Sequence, residues 1–469
     1  MITSESAARN RQFRGEVLRL TLPVLTEQAF LTLMGAVNAM LAGHIGKEAA
    51  AAIGMIDTLN NIFLAAFESL AVGGTVVVAH YLGRNERKNA GNASKQAIYS
   101  GLILATLIAI ALQLFRQPLL NALYGGAEGQ VFRYTLIYLQ YTLPVYPLIA
   151  LTSIACGVLR GAGDTRTPAK VVIIMNILNF VASYLLIFGL RPLHLPGFGV
   201  AGAAWGIGLA RLTGALLLVY ILLRGSGNLV ITHFWHYKPD WTNIRAILNI
   251  GIPASLESLL FNAGKLITQT FIVTLGTVPI VANYVAGAIH ALMVIPGSAL
   301  SVSATALVGQ RMGKGECAEA QKALAYLTKL AVIGLVGINV AMIPLFPWFA
   351  SLFNPNHEVI RLASQLLRWT ACLLALWPCA FIMPAGMKGA GDVRFTLLVS
   401  VLSMWIVRIT LGYVLCVQFK WGVLGVWIAM YLDWLVRGIA YWRRFQFGNW
   451  QKHEIIQCIT KPAAESESR

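Results

Sequence analysis

Five acidic side chains lie inside long apolar stretches of the sequence, where an ionisable group is costly and is therefore a candidate for a function. They are Glu27, Asp57, Glu68, Glu257 and Asp433. Glu27 and Glu257 each follow a proline by four residues. Because a poorly hydrated site favours the neutral form of a carboxyl, such a group can take up and release a proton near neutral pH. We take Glu257, Glu27, Glu68 and Asp57 as candidates for binding a proton or another ion.

Four of these acids also have a purely structural interpretation. Glu27 and Glu257 can bond a neighbouring helix or the backbone freed by the proline, and Asp57 can serve as a local cap or pair. Asp433 precedes Arg437 by four residues, the spacing that favours an ion pair within one helix. For Asp433 and Arg437 the sequence therefore predicts a structural pair.

Several other side chains in apolar stretches are candidates for lining a ligand cavity. They are Lys265, His290, Asn38, Asn176, Asn179, Tyr284 and Met293. Lys265 is expected to neutralise a carboxylate, with an anionic ligand group or contact with lipid headgroups as alternatives. His290 is expected in a packed interface, with a proton relay as the alternative. The asparagines are expected to form hydrogen bonds between helices.

The composition indicates that these side chains lie on membrane-spanning segments. Of the 469 residues, 57% are hydrophobic and 12% charged, whereas about 25% of the residues of a soluble domain are charged. Apolar runs long enough to cross a membrane recur along the chain. They predict twelve spans, at 18–43, 48–79, 96–115, 132–158, 169–190, 199–223, 247–275, 279–309, 325–349, 362–387, 395–418 and 422–442.

The basic residues indicate an orientation rather than a nucleic-acid partner. The net charge is +17, but most lysines and arginines fall in the N-terminal segment, in every second loop and in the C-terminal tail. That distribution places both termini in the cytoplasm of a multi-pass protein of the cytoplasmic (inner) membrane. No metal-ligand cluster, catalytic dyad or cofactor motif falls within the spans, so we expect neither an enzyme nor a cofactor.

The chain repeats itself at an offset of 230 residues. Pro23 aligns with Pro253, Glu27 with Glu257, and Gly46 with Gly276. Each half contains an even number of spans, so both enter the membrane from the same side, and the axis relating them runs along the membrane normal. The predicted fold is all-α, with twelve transmembrane helices in two six-helix lobes related by pseudo-two-fold symmetry. The lobes are 1–223 and 247–445, joined by a cytoplasmic linker, 224–246, and followed by a cytoplasmic tail, 446–469.

A loop motif appears once in each half, between the fourth and fifth spans. Its residues are Arg160, Gly161, Gly163, Asp164 and Arg166 in "RGAGDTR", and Lys388, Gly389, Gly391, Asp392 and Arg394 in "KGAGDVR". A dinucleotide fingerprint needs a strand before its helix, and here a helix enters the loop. We predict a tight turn in which the glycines reverse the chain, the aspartates cap the next helix and the basic residues meet anionic headgroups.

Two six-helix halves with these features resemble the multidrug and toxic compound extrusion (MATE) transporters. Stretches that carry the resemblance are "NAMLAGHIG" (38–46), "AVGGTVVVAHYLG" (71–83), "GVLRGAGDTRTP" (157–168), "NILNFVASYLLIFG" (176–189), "GVAGAAWG" (199–206) and "GIPASLESLLF" (251–261). The resemblance implies an outward-opening cavity between two lobes and export of organic compounds driven by inward flow of H⁺ or Na⁺.

The sequence departs from that family at its coupling carboxylates. Asn38 and Ser183 stand where one branch has aspartates, and Phe261 stands where another branch has an acid. Residues 362–387 contain no acid, although that second branch has one in the corresponding helix. The resemblance therefore assigns no coupling residue here, and we expect a neutral polar network around Asn38.

The resemblance thus implies an antiporter that exports drug-like organic compounds through alternating access, and we expect it to act as a monomer. Its partners are a small organic substrate and membrane lipid, and H⁺ is preferred to Na⁺ as the coupling ion because no span contains a cluster of carboxylates. One alternative within the family is export of an anionic aromatic metabolite such as a flavin, which Lys265 and His290 favour. Another is a lipid-linked-sugar flippase of the same superfamily, against which the count of twelve spans argues.

Overall fold

The computed structural model describes residues 2–124, 129–189, 197–225, 229, 231, 234 and 236–452, and helices dominate them. None of these residues belongs to an extended β-strand. The helical spans, numbered in chain order, are α1 (Ile2–Ile45), α2 (Lys47–Gly83), α3 (Arg87–Leu114), α4 (Gly129–Gly161), α5 (Arg166–Phe188), α6 (Val200–Arg224), α7 (Trp241–Val273), α8 (Thr277–Met293 with Ile295–Gly313), α9 (Cys317–Phe353), α10 (His357–Gly389), α11 (Val393–Gln418) and α12 (Val423–Gln446). Two short helices, Arg116–Tyr124 and Asn449–Lys452, lie outside the spans.

The predicted all-helical fold with twelve spans is confirmed within the described residues. Eleven helices are long and apolar enough to cross a membrane, and α8 becomes the twelfth when its two pieces are taken as one span. The pieces are bent by 49° relative to each other. Pro296 lies in the first turn of the second piece, where its missing N–H and its ring prevent a straight continuation of the preceding helix.

Several helix ends differ from the apolar edges predicted above. α3 begins at Arg87 rather than near residue 96, because its N-terminal part carries polar residues, and from Ala90 onward most of this part packs inside the protein. Gln96 Nε2, for example, donates a hydrogen bond to the carbonyl of Lys238 at 2.7 Å. Hydropathy finds the part of a helix that meets lipid, and it misses polar turns that are buried by protein.

Matching irregularities in the two halves reflect the sequence repeat. A 3₁₀ turn, Leu143–Val145, interrupts α4, and a second one, Leu374–Leu376, interrupts α10. The turn after α4 has Gly163 at φ 84°, and the turn after α10 has Gly391 at φ 92°. Both values lie in the left-handed region that glycine adopts without steric cost.

The chain forms two compact units, and their bounds fall two residues after the repeated prolines. One unit is Thr26–Ser255, and the other contains Met1–Leu25 together with Leu256–Arg469. These bounds describe packing, whereas the predicted lobes 1–223 and 247–445 describe the sequence repeat. Pro23 lies inside α1 and Pro253 inside α7, so each of these helices passes from one unit into the other.

Specific contacts hold each crossing helix in its unit. In the unit that contains Leu256–Arg469, Val17 of α1 is buried in the hydrophobic core. Nearby, Glu16 Oε2 lies 2.7 Å from Arg311 Nη2. In the unit Thr26–Ser255, Tyr81 donates its hydroxyl hydrogen to Asn243 Oδ1 of α7 at 3.0 Å.

Candidate functional site

Glu27 and Glu257 occupy equivalent ion pairs in the two units. Glu27 Oε1 lies 2.5 Å from Arg160 Nη1, and Glu257 Oε2 lies 2.8 Å from Lys388 Nζ. In each case the acid comes from the first helix of its half, and the base comes from the last turn of the fourth helix, where the loop motif begins. The repeat therefore contains a repeated ion pair between these two helices.

This pairing corrects the predicted role of two basic residues of the loop motif. Arg160 and Lys388 do not extend toward lipid headgroups, because their charged ends are held by the carboxylates of Glu27 and Glu257. Only 16% and 19% of their side chains are exposed. Arg166 and Arg394 are exposed, and their contact with headgroups stays a prediction.

The first glycine of each motif is required by close helix packing. A Cβ on Gly161 would meet the backbone carbonyl oxygen of Thr75 on α2, and a Cβ on Gly389 would lie 2.5 Å from the carbonyl oxygen of Thr305 on α8. Real Cβ atoms do not approach a backbone oxygen this closely. These glycines therefore let the fourth helix of each half pack directly on the second.

Replacement of Gly161 by alanine is expected to lower the free energy of unfolding by about 2–3 kcal/mol, because the obstructing atom is backbone and cannot rotate away. The matched control is Gly334→Ala in α9, where an added Cβ meets nothing within 4 Å. There alanine should raise stability by up to about 1 kcal/mol through its higher helix propensity. Unfolding in mixed micelles measures both, and equal shifts would contradict the packing argument.

The aspartates of the two motifs have different roles. Asp164 Oδ1 accepts hydrogen bonds from the backbone N–H groups of Arg166 and Thr167 at 3.1 and 3.0 Å, which caps α5 as predicted. Asp392 makes no such cap. Its Oδ2 instead accepts from Arg444 Nε of α12 at 2.9 Å, so the carboxylate ties two helices of its unit together.

The other two acidic candidates lie on α2. Asp57 Oδ1 accepts hydrogen bonds from the Tyr138 hydroxyl at 3.1 Å and from Asn60 Nδ2 at 3.4 Å. Glu68 is exposed and lies within electrostatic range of Arg211, Arg160 and Glu27. The partners of Asp57 among the described residues are thus neutral, whereas Glu68 lies in the charged surroundings of the Glu27 pair.

A neutral polar network forms around Asn38. Asn179 Nδ2 donates to Asn38 Oδ1 at 2.7 Å, and the Ser183 hydroxyl donates to Asn179 Oδ1 at 3.3 Å. Asn176 is not part of this chain, because its Nδ2 bonds the carbonyl of Val172 one turn earlier on α5. Asn38 and Ser183 are therefore linked through Asn179 by uncharged groups.

A cluster of cations lies within the unit that contains Leu256–Arg469. Arg437 Nη2 is 2.7 Å from Asp433 Oδ2, at the intrahelical spacing discussed above. Arg408 Nη1 is 4.0 Å from the same oxygen, and the Ser403 hydroxyl donates to Asp433 Oδ1 at 2.6 Å. Asp433 is fully buried, so among the described residues a single carboxylate is the counter-charge of two guanidinium groups.

Lys265 joins this cluster, and the described part of the chain does not provide its expected carboxylate partner. Among the residues that the structure describes, no carboxylate oxygen lies within 4.0 Å of Lys265 Nζ, so the predicted neutralisation by a carboxylate is wrong. The ammonium instead lies 4.9 Å from the ring centroid of Phe261. Arg408 and Arg437 are both close enough to act on it electrostatically.

The remaining cavity candidates lie in different environments. His290 stacks on Trp434 with a centroid distance of 5.8 Å. Its Nδ1 is buried and has no hydrogen-bond partner in the described part of the chain. Tyr284 is 67% exposed, whereas Met293 is buried in the hydrophobic core. Over the same residues, no three of the His, Cys, Asp and Glu side chains are placed to hold a metal ion.

Sequence reasoning paired the two glutamates with each other through the repeat, but it missed their partners. A signal existed, because the base at the start of the loop motif repeats together with the acid. The side chains lie 133 residues apart in the first pair, and only packing of the first helix against the fourth brings them together. Arg444 as the partner of Asp392 was missed for the same reason.

Comparison with known proteins finds the same internal repeat in the sequence. The MatE family model matches the chain twice, over residues 23–185 and 253–414, and each match begins at a repeated proline. The chain is 25% identical to the probable multidrug resistance protein NorM of Thermotoga maritima, over 95% of each chain. It is also 25% identical to the uncharacterized transporter YisQ of Bacillus subtilis, over 92% of this chain and 94% of that protein.

Solved structures show the same fold. An outward-facing multidrug resistance MATE family transporter of the MOP superfamily superimposes with a TM-score of 0.85 at 22% identity, over 94% of this chain and 96% of that one. A MATE crystal structure in a bent conformation gives a TM-score of 0.83 at 23% identity, with 93% and 94% coverage.

Proposed function

This chain belongs to the MatE family of multidrug efflux transporters, and on that premise we propose that it is a secondary active exporter of organic compounds coupled to inward flow of H⁺. The proposed role is transport without chemical conversion of the substrate. The observation that supports proton coupling is the repeated ion pair, Glu27–Arg160 and Glu257–Lys388. These carboxylates are the acids that the sequence repeat duplicates within the spans.

The pairs connect protonation to the positions of helices. While the glutamate is ionised, its attraction to the base holds the first helix of the half against the end of the fourth. A proton on the carboxyl removes that attraction, so a conformation in which the two helices separate binds the proton more tightly. A ligand shifts a conformational equilibrium by its difference in affinity for the two states, and here the ligand is the proton.

The surroundings of Glu27 suit this exchange. The residue is 2% exposed, and its Oε2 has no hydrogen-bond partner within the described residues. One oxygen therefore faces Arg160 while the other can accept a proton. Glu257 is less enclosed, with 12% of its side chain exposed, and its Oε2 also accepts from the Thr396 hydroxyl at 3.4 Å.

The same geometry favours H⁺ over Na⁺ as the coupling ion. A sodium ion at either carboxylate would lie beside a guanidinium or ammonium group, and like charges at such distances repel strongly in a partly buried site. A proton only neutralises the carboxyl. The bias of basic residues supports placing the protein in the cytoplasmic membrane with both termini in the cytoplasm. We further propose that it acts as a monomer on small organic substrates.

The test is transport in proteoliposomes with an imposed gradient of H⁺ or of Na⁺, using a fluorescent organic substrate. We expect the H⁺ gradient alone to drive transport, and Glu257→Gln and Glu27→Gln to abolish it, because glutamine cannot exchange a proton. Glu358→Gln, at an exposed carboxylate in the first turn of α10, makes the same chemical change as a control and should leave transport intact.

Equilibrium binding of the substrate to each variant separates loss of coupling from loss of folding, and binding should persist in both glutamine variants. Transport that ignores both gradients would overturn the antiporter proposal. If Glu257→Gln and Glu27→Gln transport normally while Glu68→Gln is inactive, the proton that drives transport binds at Glu68 on α2 and not at the repeated ion pairs.

A further inference from the structure

We propose that the unit containing Leu256–Arg469 holds a binding site for an anionic aromatic compound, formed by Lys265, Arg408, Arg437 and His290. This inference rests on the proposed function, because it names the substrate class of the exporter. Its basis is an excess of positive charge and of unpaired hydrogen-bond donors in one part of the unit.

The charges of this cluster do not balance. Among the described residues, Asp433 is the only carboxylate within 4.0 Å of Arg437 or Arg408. No described carboxylate lies within 4.0 Å of Lys265. Arg437 and Arg408 are 2% and 8% exposed, so water screens their charges little. Cations in a membrane span are costly unless an anion compensates them, and a bound anion would supply the missing charge.

The hydrogen-bonding groups of this cluster that lack a partner include several donors. The Nε atoms of Arg408 and Arg437 and Nε1 of Trp434 are buried, and none has an acceptor among the described residues. All three are obligatory donors. Water can satisfy a donor, but it does not neutralise a charge, whereas a carboxylate, sulfonate or phosphate does both.

The orientation of Lys265 argues against a lysine that reaches toward lipid headgroups. A lysine that snorkels extends toward the nearer end of its helix, which for Lys265 is Val273. Its ammonium instead lies 4.9 Å from the ring of Phe261, one turn back toward the middle of the span. Lys265 is nevertheless exposed, so it can meet a ligand that approaches this face.

Aromatic rings next to the cations favour a ligand with a planar apolar body. Arg437 lies between the rings of Phe261 and Phe381, 4.9 Å from each centroid. Phe381 stacks on Trp377 at 4.6 Å, and His290 stacks on Trp434. Apolar rings with a few convergent polar groups are the usual lining of small-molecule sites, and in this cluster the convergent groups are cationic.

Phe261 itself explains why the charge here is positive. An acid at this position would offset the ammonium of Lys265. The phenylalanine ring gives Lys265 and Arg437 a cation–π contact but no negative charge. With phenylalanine at position 261, the cluster keeps an excess of positive charge that can select an anion.

The test is equilibrium dialysis with the full chain in lipid nanodiscs, after subtraction of binding to empty nanodiscs. The probes are 1-naphthoate, 1-naphthylmethylammonium and 1-naphthalenemethanol, which share a ring system and differ in charge. We expect the carboxylate to bind at least about tenfold more tightly than the ammonium, as one charge-assisted hydrogen bond implies.

Three variants locate the charge that selects the anion. Lys265→Gln should weaken naphthoate binding by about tenfold and leave the alcohol nearly unchanged, and Lys265→Arg should restore naphthoate binding. Lys329→Gln, an exposed lysine on α9 of the same unit, should change neither.

Equal affinity for the carboxylate and the ammonium would overturn the proposal. An equal effect of Lys265→Gln on the carboxylate and the alcohol would also overturn it, because that pattern indicates lost packing rather than lost charge. No ion gradient enters the measurement. Charge-selective binding can therefore fail while H⁺-driven export persists, and export can fail while charge-selective binding persists.

Discussion

Replacement of Asp433 by asparagine is expected to lower the free energy of unfolding by about 3–5 kcal/mol, the cost of breaking a buried ion pair from one side. Asp433 is fully buried and lies 2.7 Å from Arg437 and 4.0 Å from Arg408. Asparagine keeps the volume and most of the hydrogen-bonding capacity of the side chain. It removes the only counter-charge described for two arginines, and arginine cannot relieve the imbalance by losing its proton.

Unfolding by denaturing detergent in mixed micelles measures this loss, and Asp57→Asn provides the matched control. Asp57 also lies in a span, but its partners are the Tyr138 hydroxyl and the Asn60 amide. Asparagine at this position therefore leaves no charged partner without its counter-charge. Its cost should be about 1 kcal/mol, as for one ordinary hydrogen bond. Similar losses at the two positions would show that Asp433 is not the charge balance of the cluster.

Replacement of Arg160 by glutamine is expected to cost about 3 kcal/mol, because it leaves the buried carboxylate of Glu27 without its counter-charge. The equivalent change in the other unit, Lys388→Gln, should cost less. Glu257 is more exposed than Glu27, so water can solvate the carboxylate that remains. The same unfolding measurement ranks the two variants.

The double variant Glu27→Gln/Arg160→Gln is the decisive control for this pair. Two neutral amides of similar shape need no counter-charge, so the double variant should recover most of the stability that Arg160→Gln loses. Additive losses from Glu27→Gln and Arg160→Gln would mean that the two side chains act independently in spite of their 2.5 Å contact.

The sequence alone determined the fold class, the number of spans and the internal repeat. Hydropathy is a local property, so runs of apolar residues identify the spans without any knowledge of tertiary packing. The duplicated loop motif aligned the two halves and so singled out Glu27 and Glu257. The ends of the spans were less accurate, as at the start of α3, because polar residues buried by protein, such as Ser94, have no hydropathy signal.

Only the tertiary structure decided which charges meet. Arg160 was expected at lipid headgroups and Lys265 beside a carboxylate, yet Arg160 pairs with Glu27, and Lys265 lies over Phe261. Which residues face one another depends on the rotation and tilt of helices distant in sequence, and these follow from packing such as that of Gly161 on Thr75. Composition and repeats can be read from the sequence of the chain. An ion pair forms only when two distant segments pack together, and the sequence of either segment alone does not show which partner it meets.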